Sequence, residues 1–360
     1  MAQPSSASNL AVSLRRDVEA ICFPKGRMIG SPQHEQARLY LCGRLQALGC
    51  LPFAGDSYVL PYHKGGVDFF NVVGLLPGRD RSKKALLIGA HYDSIIPYPC
   101  ADDNAAAVAI ALAAGASLAG RLEHDLIVAF FDAEEPPHFL SERMGSVRFY
   151  EDQLGTREIH AALIMDLVGH DVSVTGDMLK PCTGGLLGLI PWWRSKDFRI
   201  PRLHSLLFLT GAESHPELAG VIDEVTPSPG LRVAPTINDY VGDMSDHAVF
   251  RQCGVPYFFL SCGLWAHYHT PTDTPDRLNY TKMAHIARYV ERLMDGLDRR
   301  ALHHDNREEN VCDTVELESR HLRSAFGILH PLLLKMAGVR KVANRADMDA
   351  VAYALRALAG

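Results

Sequence analysis

Three apolar, strand-like runs, each closed by acidic or histidine residues, constrain this chain more than any other feature. They are Leu86–Ala90, Asp125–Phe131 and Ala161–Met165. A strand wetted on one face alternates apolar and polar residues. A continuous apolar run instead predicts burial on both faces, as in a parallel sheet covered by helices. Helical segments lie between these runs at Ala105–Leu118 and 144–154, and two more helices are predicted at 9–22 and 33–48. In the second of these, Ala37, Leu39, Leu41, Leu45 and Leu48 form an approximate apolar face, and Gly49 follows as a stop. Ser57–Tyr62, Phe69–Leu76 and Tyr257–Ser261 add strands, and 281–298 a closing helix. This alternation predicts an α/β fold with a mixed, mostly parallel sheet.

Two regions depart from the pattern. Residues 170–245 are richer in Pro and Gly and less periodic, which predicts an insertion or a wall of loops over the sheet. Trp192 and Trp193 fall there and are read as packing residues. After about residue 300 a polar hinge, LHHDNREEN, leads to amphipathic helices at 314–337 and 345–358. The expected division is a catalytic domain over 1–300 and a helical extension over 301–360. That extension is suited to pack on the domain or to join two copies as a homodimer, and packing is the simpler reading.

Composition narrows the function. With 360 residues, 47% hydrophobic and 22% charged, the chain has enough apolar material for a sizeable core. A formal net charge of −6, without clustered basic residues, argues against a nucleic-acid partner. The longest apolar stretch, Ala105–Gly120, is short of the roughly 20 residues that span a bilayer. The first residues lack the apolar core of a signal peptide, so a cytoplasmic protein is expected. The eight cysteines include no CxxC pair, which disfavours a zinc ribbon, and they read mostly as small buried hydrophobes.

The chemistry lies at the strand ends, where open α/β sheets gather ligands. GAHYDS places His91 after the first buried run and Asp93 two residues on. A metal-binding imidazole usually donates its second N–H to a carboxylate or carbonyl, and His-x-Asp supplies that pair. ADDNAAA brings Asp102 and Asp103 to the start of the Ala-rich helix, where carboxylates serve either as caps or as metal ligands. FFDAEEPP carries adjacent Glu134 and Glu135, one suited to bind metal and the other to take a proton. LIMDLVGHD embeds Asp166 in an apolar run, and buried carboxylates are rare unless paired or metal-bound. AHYHTPTDTPD adds His267 and His269, and SDHAVF adds Asp246 and His247 ahead of the last apolar strand. Such mixed nitrogen and oxygen donors suit Zn²⁺. No Gly-rich phosphate loop and no GxSxG elbow is present, which disfavours P-loop and serine mechanisms.

In this order, the clusters resemble the family-28 zinc metallopeptidases, the co-catalytic zinc aminopeptidases, over roughly residues 30–298. SPQHEQARLYLCGRLQALG, NVVGLLPG, GAHYDS, ADDNAAA, FFDAEE, IMDLVG, SDHAVF and YHTPTDTPD carry the likeness. The resemblance implies a three-layer αβα fold and two Zn²⁺ per chain. It implies that His91 and Asp166 bind one zinc, Glu135 and His269 the other, and that Asp103 bridges them. Glu134 would be the general base and Asp93 the acid that orients His91. The implied substrate is a peptide or amino-acyl amide, cut at its N-terminal bond. Three departures stand out: Cys100 where the family has Gly, Pro136 and Pro137 where it often has Gly, and DDNAAA without the usual Ser-Gly. Glutaminyl cyclases are also similar, in HYDS, FFD-x-EE and DH-x-x-F. They use one zinc and typically carry Trp before the last His, where this chain has Tyr268. A non-catalytic binding or assembly protein is the third reading, and the full ligand set argues against it.

Overall fold

The computed structural model describes residues 7–172, 201–302 and 312–359. Its centre is a mixed sheet. In chain order the strands are β1 (Leu51–Pro52), β2 (Val59–Lys64), β3 (Val67–Leu76), β4 (Ala85–His91), β5 (Leu126–Phe131), β6 (Ile159–Met165), β7 (Leu206–Thr210), β8 (Arg232–Pro235) and β9 (Tyr257–Ser261). Across the sheet the order is β1-β3-β5-β4-β6-β9-β7-β8, with β2 also paired to β3. The four middle strands, β5, β4, β6 and β9, run parallel. Antiparallel pairing at β3 and β7 makes the sheet mixed.

Burial on both faces explains the continuous apolar runs. Leu86, Ile88, Leu126, Val128, Phe130, Leu163 and Met165 join one core, while Leu87, Ile127, Ala129, Phe131, Ala162 and Ile164 join another on the opposite face. Helices Ala7–Ile21, Pro32–Ala47, Ala106–Leu118 and Tyr280–Asp298 cover the first face; Phe149, Val249 and Phe250 from short helices cover the second. The result is the three-layer α/β arrangement. Each fully buried Leu, Ile or Phe stabilises by about 1.5–3 kcal/mol. A core of this size therefore outweighs the cost of gathering carboxylates at one edge.

The wall of loops expected over 170–245 is corrected in part. Leu206–Thr210 and Arg232–Pro235 are parallel to one another and extend the sheet past β9. These strands are only 5 and 4 residues long, and the second contains Arg and Pro, so periodicity could not reveal them. Trp192 and Trp193 lie outside the described residues. Helices Val315–Phe326, His330–Met336 and Arg345–Ala359 follow, and Val315, Leu317, Leu322, Phe326, Leu333, Met348 and Val351 join the first core. No described helix is long and apolar enough to cross a membrane.

Candidate metal centre

The chain goes from β4 to β5 on one side and then to β6 on the other, so β4 is a switch point, where open α/β sheets bind ligands. His91 is the last residue of β4. Asp132, Ala133, Glu134 and Glu135 follow β5, Asp166 follows β6, and His269 lies in the loop after β9. Parallel strands put all these ends at one edge. The structure therefore brings together residues up to 178 positions apart, His91 and His269.

His91 Nε2 lies 3.2 Å from Asp103 Oδ1, 3.7 Å from Asp166 Oδ1 and 3.8 Å from Glu134 Oε2. His269 Nε2 lies 3.0 Å from Asp103 Oδ2 and 3.2 Å from Glu135 Oε2. One Asp103 oxygen thus faces each imidazole. Donor atoms of His91, Glu134 and Asp166 lie within 4.8 Å of one another, as do those of Asp103, Glu135 and His269. Despite these short separations, His91 Nε2, His269 Nε2, Glu135 Oε1 and Asp166 Oδ1 are buried without a hydrogen-bond partner. Buried polar atoms are rarely left so, since each costs about 1–3 kcal/mol. Unsatisfied imidazole nitrogens among carboxylate oxygens are a donor set that fits metal ions.

The surrounding loops are locked. Asp93 faces His91 Nδ1 at 3.3 Å and accepts the backbone N–H groups of Glu134 and Glu135, both at 3.2 Å. Asp132 accepts the N–H of Phe70 and faces His34 Nε2 at 2.9 Å. His34 is delivered by helix Pro32–Ala47, which Ser31 caps and Pro32 starts. Asp102 is engaged away from the cluster, accepting from Gly169 N–H at 2.5 Å and facing His170 Nδ1 at 2.6 Å. His267 Nδ1 faces Thr272 Oγ1 at 2.7 Å. His247 faces Asn238 and Gly242, and burial lowers its pKa to about 4, so it stays neutral.

Backbone strain concentrates here. Among the described residues, five non-glycine positions have positive φ: Cys100, Ala133, Leu140, Leu167 and His269. Ala133 precedes Glu134, Leu167 follows Asp166, and His269 is itself in the cluster. Cys100, at φ 46° and ψ 62°, stands where the resemblance expects Gly. A left-handed residue with a Cβ costs about 1–2 kcal/mol. Such strain persists where the surroundings over-determine the geometry, commonly at functional sites.

Sequence reasoning missed Asp273, Arg27 and Ser245, and gave Asp246 no role. Asp273 accepts the N–H groups of Asp102 and Asp103, tying the His269 loop to the Asp103 turn. Arg27 is fully buried and donates to the carbonyls of Ile21, Tyr92, Pro99, Cys100 and Asp103. Ser245 and Asp246 are buried with unpartnered oxygens. A lone Arg or Asp in a loop carries no periodic signal, and only SDHAVF marked the last pair.

The electrostatics follow from burial and crowding. Burial pushes Glu134 well above the usual carboxylate range, and Asp166, Asp246 and Glu135 add to this against the pull of His91. Burial and Asp103 push Glu135 up to about 7. Burial opposes the charge on His269, but Asp103 and Glu135 outweigh it and raise the pKa to about 10. Burial opposes ionisation of Asp93 too, yet His91 and the Glu135 N–H hold it below its ordinary value.

In metal-free protein, Glu135 and His269 both bind protons more tightly folded than unfolded. The stability each contributes is present at low pH and lost as pH rises, from 4.5 through about 7 for Glu135 and from 6.5 through about 10 for His269. Metal-free protein is therefore expected to lose stability between about pH 5 and 9, and zinc to remove most of that slope by replacing the protons. Denaturant midpoints with and without chelator measure this. A metal-free midpoint that rises with pH contradicts it.

Fold and site together define a class: a mixed α/β-sheet protein with two facing His/carboxylate sets at the carboxyl edge of its parallel strands. The family model "Peptidase family M28" matches residues 71–176 and 197–294. The chain belongs to peptidase family M28. It is 28% identical over 237 residues to the uncharacterized protein YfbL of Escherichia coli (strain K12), covering 58% of this chain and 66% of that protein, just under two thirds. Two solved structures share the fold. The Legionella pneumophila LapA aminopeptidase has a TM-score of 0.58 at 16% identity, covering 82% of this chain and 73% of that one. A Bacteroides thetaiotaomicron glutaminyl cyclase, bound to N-acetylhistamine, has a TM-score of 0.57 at 15% identity, covering 84% and 100%.

Proposed function

We propose that this chain is a zinc aminopeptidase that hydrolyses the N-terminal bond of a peptide or amino-acyl amide. The observation that carries this is Asp103, whose two oxygens face His91 and His269 at 3.2 and 3.0 Å. In this reading His91 and Asp166 hold one zinc, Glu135 and His269 the other, and Asp103 is shared. When bound, the metals lower the pKa of a coordinated water towards neutrality and polarise the scissile carbonyl. Glu134 takes the proton of the attacking water and returns it to the leaving amine. Its backbone is fixed by Asp93, and burial favours its protonated form, so it accepts a proton readily. Asp166 and Glu134 supply the negative charge that holds the substrate's ammonium.

Metal counting and paired assays test the reading. Two zincs per chain and hydrolysis of a leucyl amide are expected. One zinc and cyclisation of a glutaminyl amide would assign the chain to the cyclase reaction instead. Absence of bound metal and of both activities would leave a binding protein.

Asp93 orients His91 and anchors both glutamates. Asp93→Asn is expected to weaken zinc binding by about 10–100-fold. Competition with a chromophoric chelator reads this directly, and an unchanged affinity would remove Asp93 from the role.

A further inference from the structure

The helices after residue 312 bond to a short segment, Asn238–Asp246, that leads into the helix His247–Gln252. At its start, Tyr240 donates its hydroxyl proton to Asp349 Oδ1 at 2.6 Å and accepts from Arg345 at 3.1 Å. Its ring also packs edge-on against Tyr353. Arg345 is itself fixed, donating to Glu318 Oε1 at 2.8 Å and to Thr314 Oγ1 at 3.2 Å. Glu318 is fully buried and also accepts from Thr314. Together these charge-assisted bonds tie Tyr240 to the C-terminal helices through Arg345 and Asp349.

The segment is rigid between its ends. The Asn238 N–H bonds Glu213 Oε1 at 2.7 Å, and its side chain bonds Asp243 and faces His247. Arg251 grips Asp243 with two nitrogens, at 2.7 and 2.6 Å. At the far end, Ser245 Oγ and both Asp246 carboxylate oxygens are buried without a hydrogen-bond partner. The helix that follows, His247–Gln252, packs against β6, the strand that ends just before Asp166, and its Phe250 ring lies 6.4 Å from that of Phe131, the last residue of β5 and three residues before Glu134.

From this geometry we infer that the C-terminal helices are a brace for the active site, with Tyr240, Arg345 and Asp349 as positioning residues that hold the segment carrying Ser245 and Asp246, and the helix after it, against the ends of β5 and β6. None of the three touches the metal cluster. The inference rests on the hydrolase reading for its kinetic consequence, but not for its mechanical one.

The test uses the full chain carrying Tyr240→Phe, Asp349→Ala, and both together. Tyr240→Phe keeps the packed ring, and Asp349→Ala removes the acceptor, a second route to loss of the Tyr240–Asp349 bond if the first impairs folding. Amide hydrogen exchange across 238–246 is expected to quicken about tenfold in each variant. On the leucyl amide, kcat is expected to fall by a similar factor, with KM within about twofold and zinc content unchanged. The double variant is expected to be no worse than Tyr240→Phe alone, because that variant already breaks the bond to Asp349 together with the one from Arg345. Exchange in 238–246 that matches wild type overturns the brace, and so does faster exchange with kcat unaltered. A wild type that turns over neither amide defeats the hydrolase reading. Exchange then decides the brace alone: quickened, it stands; unchanged, it falls.

Discussion

Glu134→Gln is expected to bind zinc with unchanged stoichiometry and to lose kcat by about 10²–10⁴-fold, the range that a positioned general base contributes. The substitution is nearly isosteric and leaves the backbone N–H that bonds Asp93 in place. It removes only the capacity to take and return a proton. Glu134 Oε2 is 3.8 Å from His91 Nε2, so its carboxylate stands beside the proposed first zinc position. Asp166 Oδ1 is almost equally close, at 3.7 Å. The variant therefore separates two roles that distance does not. A base lost gives metal retained with rate gone. A ligand lost gives weakened zinc as well. Zinc content by atomic absorption, measured alongside kcat, distinguishes them. Full activity in the variant would end the base assignment.

Arg27→Met is expected to cost about 3–5 kcal/mol of stability, the scale for removing one partner of a buried charged network. Five carbonyl groups accept from this guanidinium, and the helix end, the loop after β4 and the Asp103 turn all converge on it. Met fills much of the volume but leaves those carbonyls unsatisfied. Each orphaned group costs about 1–3 kcal/mol, and partial relaxation keeps the total below their sum. Arg27→Lys is expected to recover little, because an ammonium offers three donors on a flexible stem where a planar fork offers five. Zinc affinity is expected to fall in both variants, since the loop that presents Asp103 is held through Cys100 and Asp103 carbonyls. Denaturant midpoints give the stability, and chelator competition gives the affinity. A loss under about 1 kcal/mol in Arg27→Met would show that the loop holds its shape without the guanidinium.

Much of the architecture was legible along the chain. Tyr257–Ser261 has the bounds expected of it, and the helix expected at 281–298 runs Tyr280–Asp298. Long periodic or wholly apolar segments report their environment directly, because each residue's burial repeats a regular pattern. The strands at 206–210 and 232–235 were not legible, being short and at the outer part of the sheet. The helix expected at 314–337 divides at Gly327, whose φ is 52°, a break that an apolar stripe does not announce.

For the site, the chain marked which polar clusters end buried strands, and so which residues share the sheet's carboxyl edge. That much depends on local pattern: an apolar run must be buried, and its polar successor emerges where the strands stop. Asp102 and Asp103 illustrate what the linear pattern leaves open. They are adjacent and chemically identical. Asp102 is drawn to Gly169 and His170, and Asp103 lies between His91 and His269. The left-handed Cys100 and the Arg27 and Asp273 bonds set that orientation.

By itself, then, the sequence determined a doubly covered sheet with parallel central strands and the edge at which its charges collect, because hydrophobic burial reads only composition and period. Only the tertiary structure decided which oxygen faces which nitrogen, and that Tyr240 meets Asp349 of the last helix. Hydrogen bonds between residues as far apart as Tyr240 and Asp349 are directional and leave no periodic trace in the chain.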